Sequence, residues 1–159
     1  SRLNLLLDTI ISRCQLIRFK SFPYKKLECF IRDKLDSSIS DINGEFNLKY
    51  LINSANGSPG KILKDLKIWN EIPNIIKENA NFPLSDSLEI LKIAKMISEE
   101  LEIYQQIFLI NFLQKKYWEK TKNKNIIKKF EDLKIHLKSL IQPRLAWEIT
   151  LLKISIEDL

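Results

Sequence analysis

Apolar residues recur three and four positions apart along most of this chain, the spacing of one face of a helix. After Pro23, a residue suited to a first helical turn, Tyr24, Leu27, Phe30, Ile31 and Leu35 fall on one side. Leu48, Leu51, Ile52 and Ala55 mark a second helix, beyond the polar connector Ser37 to Gly44. Asn56-Gly57 closes it, because either residue adopts the left-handed backbone that ends helices. Ser58-Pro59 opens a third at once, with Ser as the capping residue and Pro at the first helical position. That helix carries Ile62, Leu63, Leu66 and Trp69, so residues 21–70 predict a three-helix unit.

Pro73 and Pro83 mark a join to a second helical unit. From Ser85 to about Tyr117 the periodicity predicts one long helix. Ile90, Ala94, Ile97, Leu101, Tyr104 and Phe108 form a stripe, widened by Ile103, Ile107, Ile110, Phe112 and Leu113. So broad a surface needs several helices or another subunit to cover it, and it is expected to be partly exposed in the isolated chain. A lysine-rich connector, "KKYWEKTKNKNIIKK", is expected from Lys115 to Lys129. Ile126, Phe130, Leu133, Leu137 and Leu140 then predict a helix. Pro143 starts the last one, with Leu145, Ile149, Leu152 and Ile156 as its expected inner face. The beginning of the chain departs from this pattern. Asp8 is placed to cap a short turn from Thr9 to Ser12. Gln15 to Phe19, "QLIRF", alternates and is β-prone, so it predicts a single strand.

Hydrophobic residues make up 45% and charged residues 29%, a globular rather than a disordered composition. No apolar run reaches the roughly 18 to 20 residues that span a bilayer, and no signal segment is visible. The two cysteines, Cys14 and Cys29, are too few for a disulfide framework, which fits a reducing, cytoplasmic setting. The first residue is not Met, and the chain is expected to be cut from a longer protein. The net charge of +6 attracts polyanions weakly and without sequence preference.

Catalytic signatures are missing. There is no G-x-x-x-x-G-K-[ST] phosphate loop and no G-x-S-x-G elbow. The single histidine, His136, sits in "DLKIHLKSL" without a second ligand for zinc. Glu99-Glu100 and Glu131-Asp132 are neighbours in sequence, so on a helix they point different ways and decorate a solvated face. The stretch from Lys115 to Lys129 reads either as a solvated connector or as a phosphate-contacting patch. Trp118 beside it either packs or stacks on a base. Trp69 and Trp147 read as core or interface anchors.

Three segments in order resemble one family. "TIISRC", Thr9 to Cys14, looks like the Ser-Arg-Cys segment of clamp-loader AAA+ subunits. "LINSANGSPGKIL", Leu51 to Leu63, looks like their lid segment. "QPRLAWEITLLKI", Gln142 to Ile154, is similar to the end of the collar in the delta-prime family of the bacterial DNA polymerase III clamp loader. The resemblance implies an all-α fragment. Residues 1–20 would be a remnant of the AAA+ core with one strand, 21–71 a three-helix lid and 72–159 an oligomerising collar.

The resemblance also implies roles. Arg13 would reach across a subunit boundary to a neighbour's ATP, supported by Ser12 and Cys14. Gly57, Ser58, Pro59 and Gly60 are the lid motif; Pro143, Arg144, Leu145 and Glu148 are the collar motif. ATP-binding relatives carry an arginine where Gly60 stands, so this chain departs toward a non-hydrolysing, non-catalytic subunit. Asp8 is a second departure, where the family often has Pro or a small residue. ATP and Mg would belong to neighbouring subunits, with no cofactor or metal in this chain. Implied partners are gamma/tau and delta subunits, with the sliding clamp and primed DNA met through the assembly, and no membrane. Two alternatives stay open: a basic helical nucleic-acid-binding module, and the collar of another AAA+ ATPase of gamma/tau or recombination-factor type. On composition alone Arg13 reads as a solvated loop arginine, and the resemblance reverses that reading.

Overall fold

The computed structural model describes residues 13–15, 17, 20–35, 45–79, 86–139 and 142–157. Among them lie eight helices: α1 Tyr24–Leu35, α2 Glu45–Ser54, α3 Pro59–Glu71, α4 Asn74–Asn79, α5 Ser87–Glu100, α6 Ile103–Thr121, α7 Lys124–Lys138 and α8 Pro143–Glu157. The all-α expectation holds. The expected strand is not seen: Gln15 and Ile17 are in no regular structure, and Leu16, Arg18 and Phe19 lie outside the described residues. So do Ser12, the turn expected around Asp8, the connector Ser37 to Gly44, Pro83 and Leu140. No helix among the described residues is long and apolar enough to cross a membrane.

α1 packs on α2 and α2 on α3; α6, α7 and α8 pack in succession, and α8 returns against α5. α4 bridges toward α5, and α3 reaches α6. The core runs through both groups. Leu27, Ile31, Leu51, Ile62 and Leu66 fill the first. Ile90, Ala94, Ile97, Leu109, Ile110, Leu113, Phe130, Leu133, Trp147 and Leu151 fill the second. An aromatic cluster joins them. The Phe112 ring lies 5.1 Å from Tyr50 and 4.8 Å from Trp69, while Phe108 lies 6.3 and 6.4 Å from the same two rings. Trp69 Nε1 is buried with no hydrogen-bond partner among the described residues, so its contribution is ring packing.

Four further expectations need correction. The single helix from Ser85 to Tyr117 is two helices, broken at Leu101-Glu102. Leu101 is extended, and Glu102 and Gln105 form a reciprocal capping box that starts α6. The broad stripe is then covered inside the chain, because the break lets α8 fold back on α5. Ile90, Ala94, Ile97, Leu101, Phe108, Ile110, Phe112 and Leu113 are all buried, and only Ile103 and Tyr104 are exposed. The expected exposed face is thereby reduced to Ile103 and Tyr104, with Ile107 half-buried.

The lysine-rich connector is mostly helix. Lys115 to Thr121 are the end of α6, and only Lys122 and Asn123 link it to α7. Lys122 takes the left-handed conformation, φ 55°, and Asn123 caps α7 by accepting from the Asn125 N–H at 2.9 Å. The inner face of α8 is also not the expected one. Ala146, Trp147, Thr150, Leu151 and Ile154 are buried, whereas Leu145, Ile149 and Ile156 are 47%, 44% and 71% exposed. α8 is apolar on two sides, and the bulkier Trp147 stripe took the core.

Candidate functional site

Arg13 lies in a turn and is exposed, as is Cys14, a free thiol like Cys29. The packing role implied for Cys14 is not seen among the described residues. Downstream, the chain is tied to the turn between α2 and α3: the Phe22 N–H donates to the Gly57 carbonyl at 3.0 Å. Asn56 and Gly57 are both left-handed, φ 48° and 82°. A Cβ on Gly57 would stand 2.4 Å from the Ser21 Cβ and 3.1 Å from the Phe22 backbone. Glycine is therefore required here twice over, by conformation and by contact.

Ser58 caps α3 by accepting from the Lys61 N–H at 3.4 Å, with Pro59 at the first helical position. Gly60 follows in the first turn, exposed, with nothing within 4 Å of an added Cβ. Lys61 turns back, and its Nζ donates to the Ser54 carbonyl. The Ser54 hydroxyl donates to the buried Asp65 carboxylate at 3.1 Å. Burial pushes the Asp65 carboxyl up from its ordinary value, opposed by the Ser54 hydrogen bond and the Lys61 charge. Burial likewise pushes the Tyr50 phenol up, and Asp65 adds to the effect. These groups lock the α2–α3 hairpin; they leave no open chemical site.

In the first turn of α8, where the resemblance implied a collar motif, Arg144 Nε donates to Glu148 Oε1 at 2.8 Å, one turn further along. The Glu148 bond and charge push the Arg144 pKa up, so the guanidinium stays charged on the surface. Leu145 points away from the core. With Ile149 and Thr150 it borders a groove of about 230 Å³ whose other wall includes Asp132 and His136 of α7. The structure thus joins Arg144 to Glu148 and Gly57 to the segment leading from Arg13. Among the described residues it shows no hydrogen bond between Arg13 and either motif.

A joint that the sequence reading missed lies at the start of α6. The Glu71 carboxylate, at the end of α3, accepts from Tyr104 Oη at 3.2 Å and Gln105 Nε2 at 3.1 Å. Gln105 Oε1 accepts from the Glu102 N–H at 2.9 Å. Buried Gln106 donates from Nε2 to the Leu101 carbonyl at 2.8 Å and accepts from Trp147 Nε1 at 2.9 Å. Seven residues therefore connect α3, the α5–α6 break and α8. The Glu102-x-x-Gln105 spacing was the available signal, masked by Glu standing where Ser or Thr is usual.

The family model for cyanobacterial DNA polymerase III delta prime, C-terminal domain, matches residues 37–154, well over half of the chain. The match crosses the expected lid–collar boundary at 71/72. No curated protein and no solved structure matches the chain.

Proposed function

The chain belongs to the family of DNA polymerase III delta-prime C-terminal domains, and we propose that it acts as a clamp-loader subunit that does not itself hydrolyse ATP. It assembles with gamma/tau and delta subunits to place the sliding clamp on primed DNA. The family match carries this reading. In it, residues 1–20 are the AAA+ remnant, 21–71 the lid and 72–159 the collar. Two structural observations support it. The exposed stripe Leu145, Ile149 and Ile156 gives α8 an apolar side left for a helix of a neighbouring subunit's collar. Gly60 offers no side chain to sense a nucleotide of its own, although the space around it is open.

Arg13 is then the group that acts in trans. Charge develops on a transferring phosphoryl group, and an arginine from a neighbour stabilises it with a planar, permanently charged fork. Exposure of Arg13 suits that role.

Reconstitution with gamma/tau and delta subunits tests both parts. Ile149→Glu should leave helicity unchanged and abolish co-elution with the partners. Arg13→Ala should assemble normally and slow ATP hydrolysis at the adjoining site by roughly 10³ to 10⁵, diluted in the bulk rate to the share of one site. Arg13→Lys should rescue poorly. A fully assembled Arg13→Ala complex with wild-type ATPase and clamp loading would remove the trans role. Normal assembly by Ile149→Glu would remove the α8 interface.

A further inference from the structure

The corner between α6 and α7 gathers positive charge, and Lys120, Lys122, Lys124 and Lys128 carry it to the surface. Seven lysines and one acid, Glu119, lie between Lys115 and Lys129. Glu119 is engaged by Lys115 at 3.5 Å, and the stretch holds no second acid. Lys120, Lys122, Lys124 and Lys128 are all exposed. Lys120 closes α6, Lys122 sits at the apex, and Lys124 and Lys128 stand one turn apart on α7. The negative end of the α6 dipole meets the positive end of the α7 dipole here, so the two offset each other and the field comes from the side chains. Burial, and after it the charge of Lys120, push the Lys116 pKa down. Lysine, rather than glycine, occupies the left-handed apex at position 122, φ 55°, a conformation that disfavours side chains.

We propose that this corner binds the phosphate backbone of nucleic acid directly, through Lys120, Lys122, Lys124 and Lys128. The contact goes beyond the assembly reading and does not depend on it. Phosphates fit because each lysine presents a compact point charge. Bases are not read: Lys122 Nζ lies 5.5 Å from the Trp118 ring centroid and occupies that aromatic face, so binding is sequence-independent. A membrane surface fits less well. The exposed residues between Lys115 and Lys129 are Lys115, Glu119, Lys120, Thr121, Lys122, Lys124, Asn125 and Lys128, with no apolar anchor among them.

The test is fluorescence anisotropy of the chain with a labelled DNA duplex of about 20 base pairs, across about 50 to 200 mM salt. The variant replaces Lys120, Lys122, Lys124 and Lys128 with Gln. A control replaces the exposed Lys25, Lys26, Lys64 and Lys67 with Gln and removes the same net charge. The corner variant should bind at least about tenfold more weakly, with a log–log salt slope shallower by roughly 3 to 4. The control should change little, because distant charges are screened beyond about 10 Å at 0.1 M. Equal losses in both variants, or no loss in the corner variant, would overturn the proposal. Lysine acetylation footprinting of the unaltered chain needs no variant. DNA should protect the four corner lysines and spare Lys25 and Lys64; uniform or absent protection would also overturn it. Tight binding to vesicles of about one-third anionic lipid, with none to DNA, would reassign the corner to membranes and sink the nucleic-acid claim.

Discussion

In α1–α3 the helices are held by turn chemistry a few residues long: Ser58 on α3, Lys61 reaching back to Ser54, Gly57 clasping Phe22. In α5–α8 the decisive contacts join residues forty positions apart, as where Trp147 meets Gln106. The first group is specified locally, yet it does not own all of its core. Tyr50 and Trp69 complete their packing on Phe108 and Phe112 of α6. The second closes on itself, with Phe130, Leu133 and Trp147 fully buried among its own helices. Strong local signals can therefore mark the part of a fold that depends on its neighbour.

The largest expected effect comes from the self-closing group. Trp147→Ala should cost roughly 3–5 kcal/mol in urea unfolding. It also strands the Gln106 side-chain Oε1, at about 1–3 kcal/mol more. Trp147→Phe restores most of the volume but not the hydrogen bond, so it should recover only the first part. A Trp147→Ala protein within 1 kcal/mol of wild type would refute the central place given to α8.

Next comes the seam. Phe112→Ala should cost roughly 3–5 kcal/mol without stranding a polar group. Native-state hydrogen exchange should rise most in α1–α3 and least in α7. Equal acceleration in both groups would show that the first closes its own core after all. The smallest effects should come from Gly57 and Gly60, at the turn between α2 and α3. Gly57→Ala should cost roughly 1–2 kcal/mol for a left-handed alanine, with added strain against Ser21, and should speed proteolysis upstream of Pro23. Gly60→Ala should instead stabilise by up to about 0.5–1 kcal/mol, since its Cβ meets nothing. The opposite sign of two glycines three residues apart measures how local that turn chemistry is.

The same contrast explains what the sequence revealed. The end of α2 at Asn56-Gly57 and the start of α3 at Ser58-Pro59 were legible, because capping depends on residues within a turn. Trp69 and Trp147 read correctly as anchors by size alone. The break at Leu101-Glu102 was hidden, because the apolar stripe continues across it and only a Glu–Gln capping box marks the change. The face of α8 was misread for a related reason. Leu145, Ile149, Leu152 and Ile156 keep helical spacing, but so do Trp147, Leu151 and Ile154, and which stripe faces inward is decided by α5, far away in sequence. The Ser-Arg-Cys segment was visible only as a resemblance, since no local rule distinguishes Arg13 from any surface arginine.

The pairing of α5 with α8 also sets a timetable for biosynthesis. Roughly 56 residues separate their first positions, Ser87 and Pro143. At about 5–20 residues per second, a ribosome delivers α8 some 3–11 s after α5. Through that interval Ile90, Ala94 and Ile97 have emerged without the helix that covers them, and of the helices packed on α5 only the short α4 is already in place. The nascent chain should be a client of holding chaperones until α8 clears the exit tunnel, and codons that slow translation between Glu100 and Pro143 should lower the yield of folded protein.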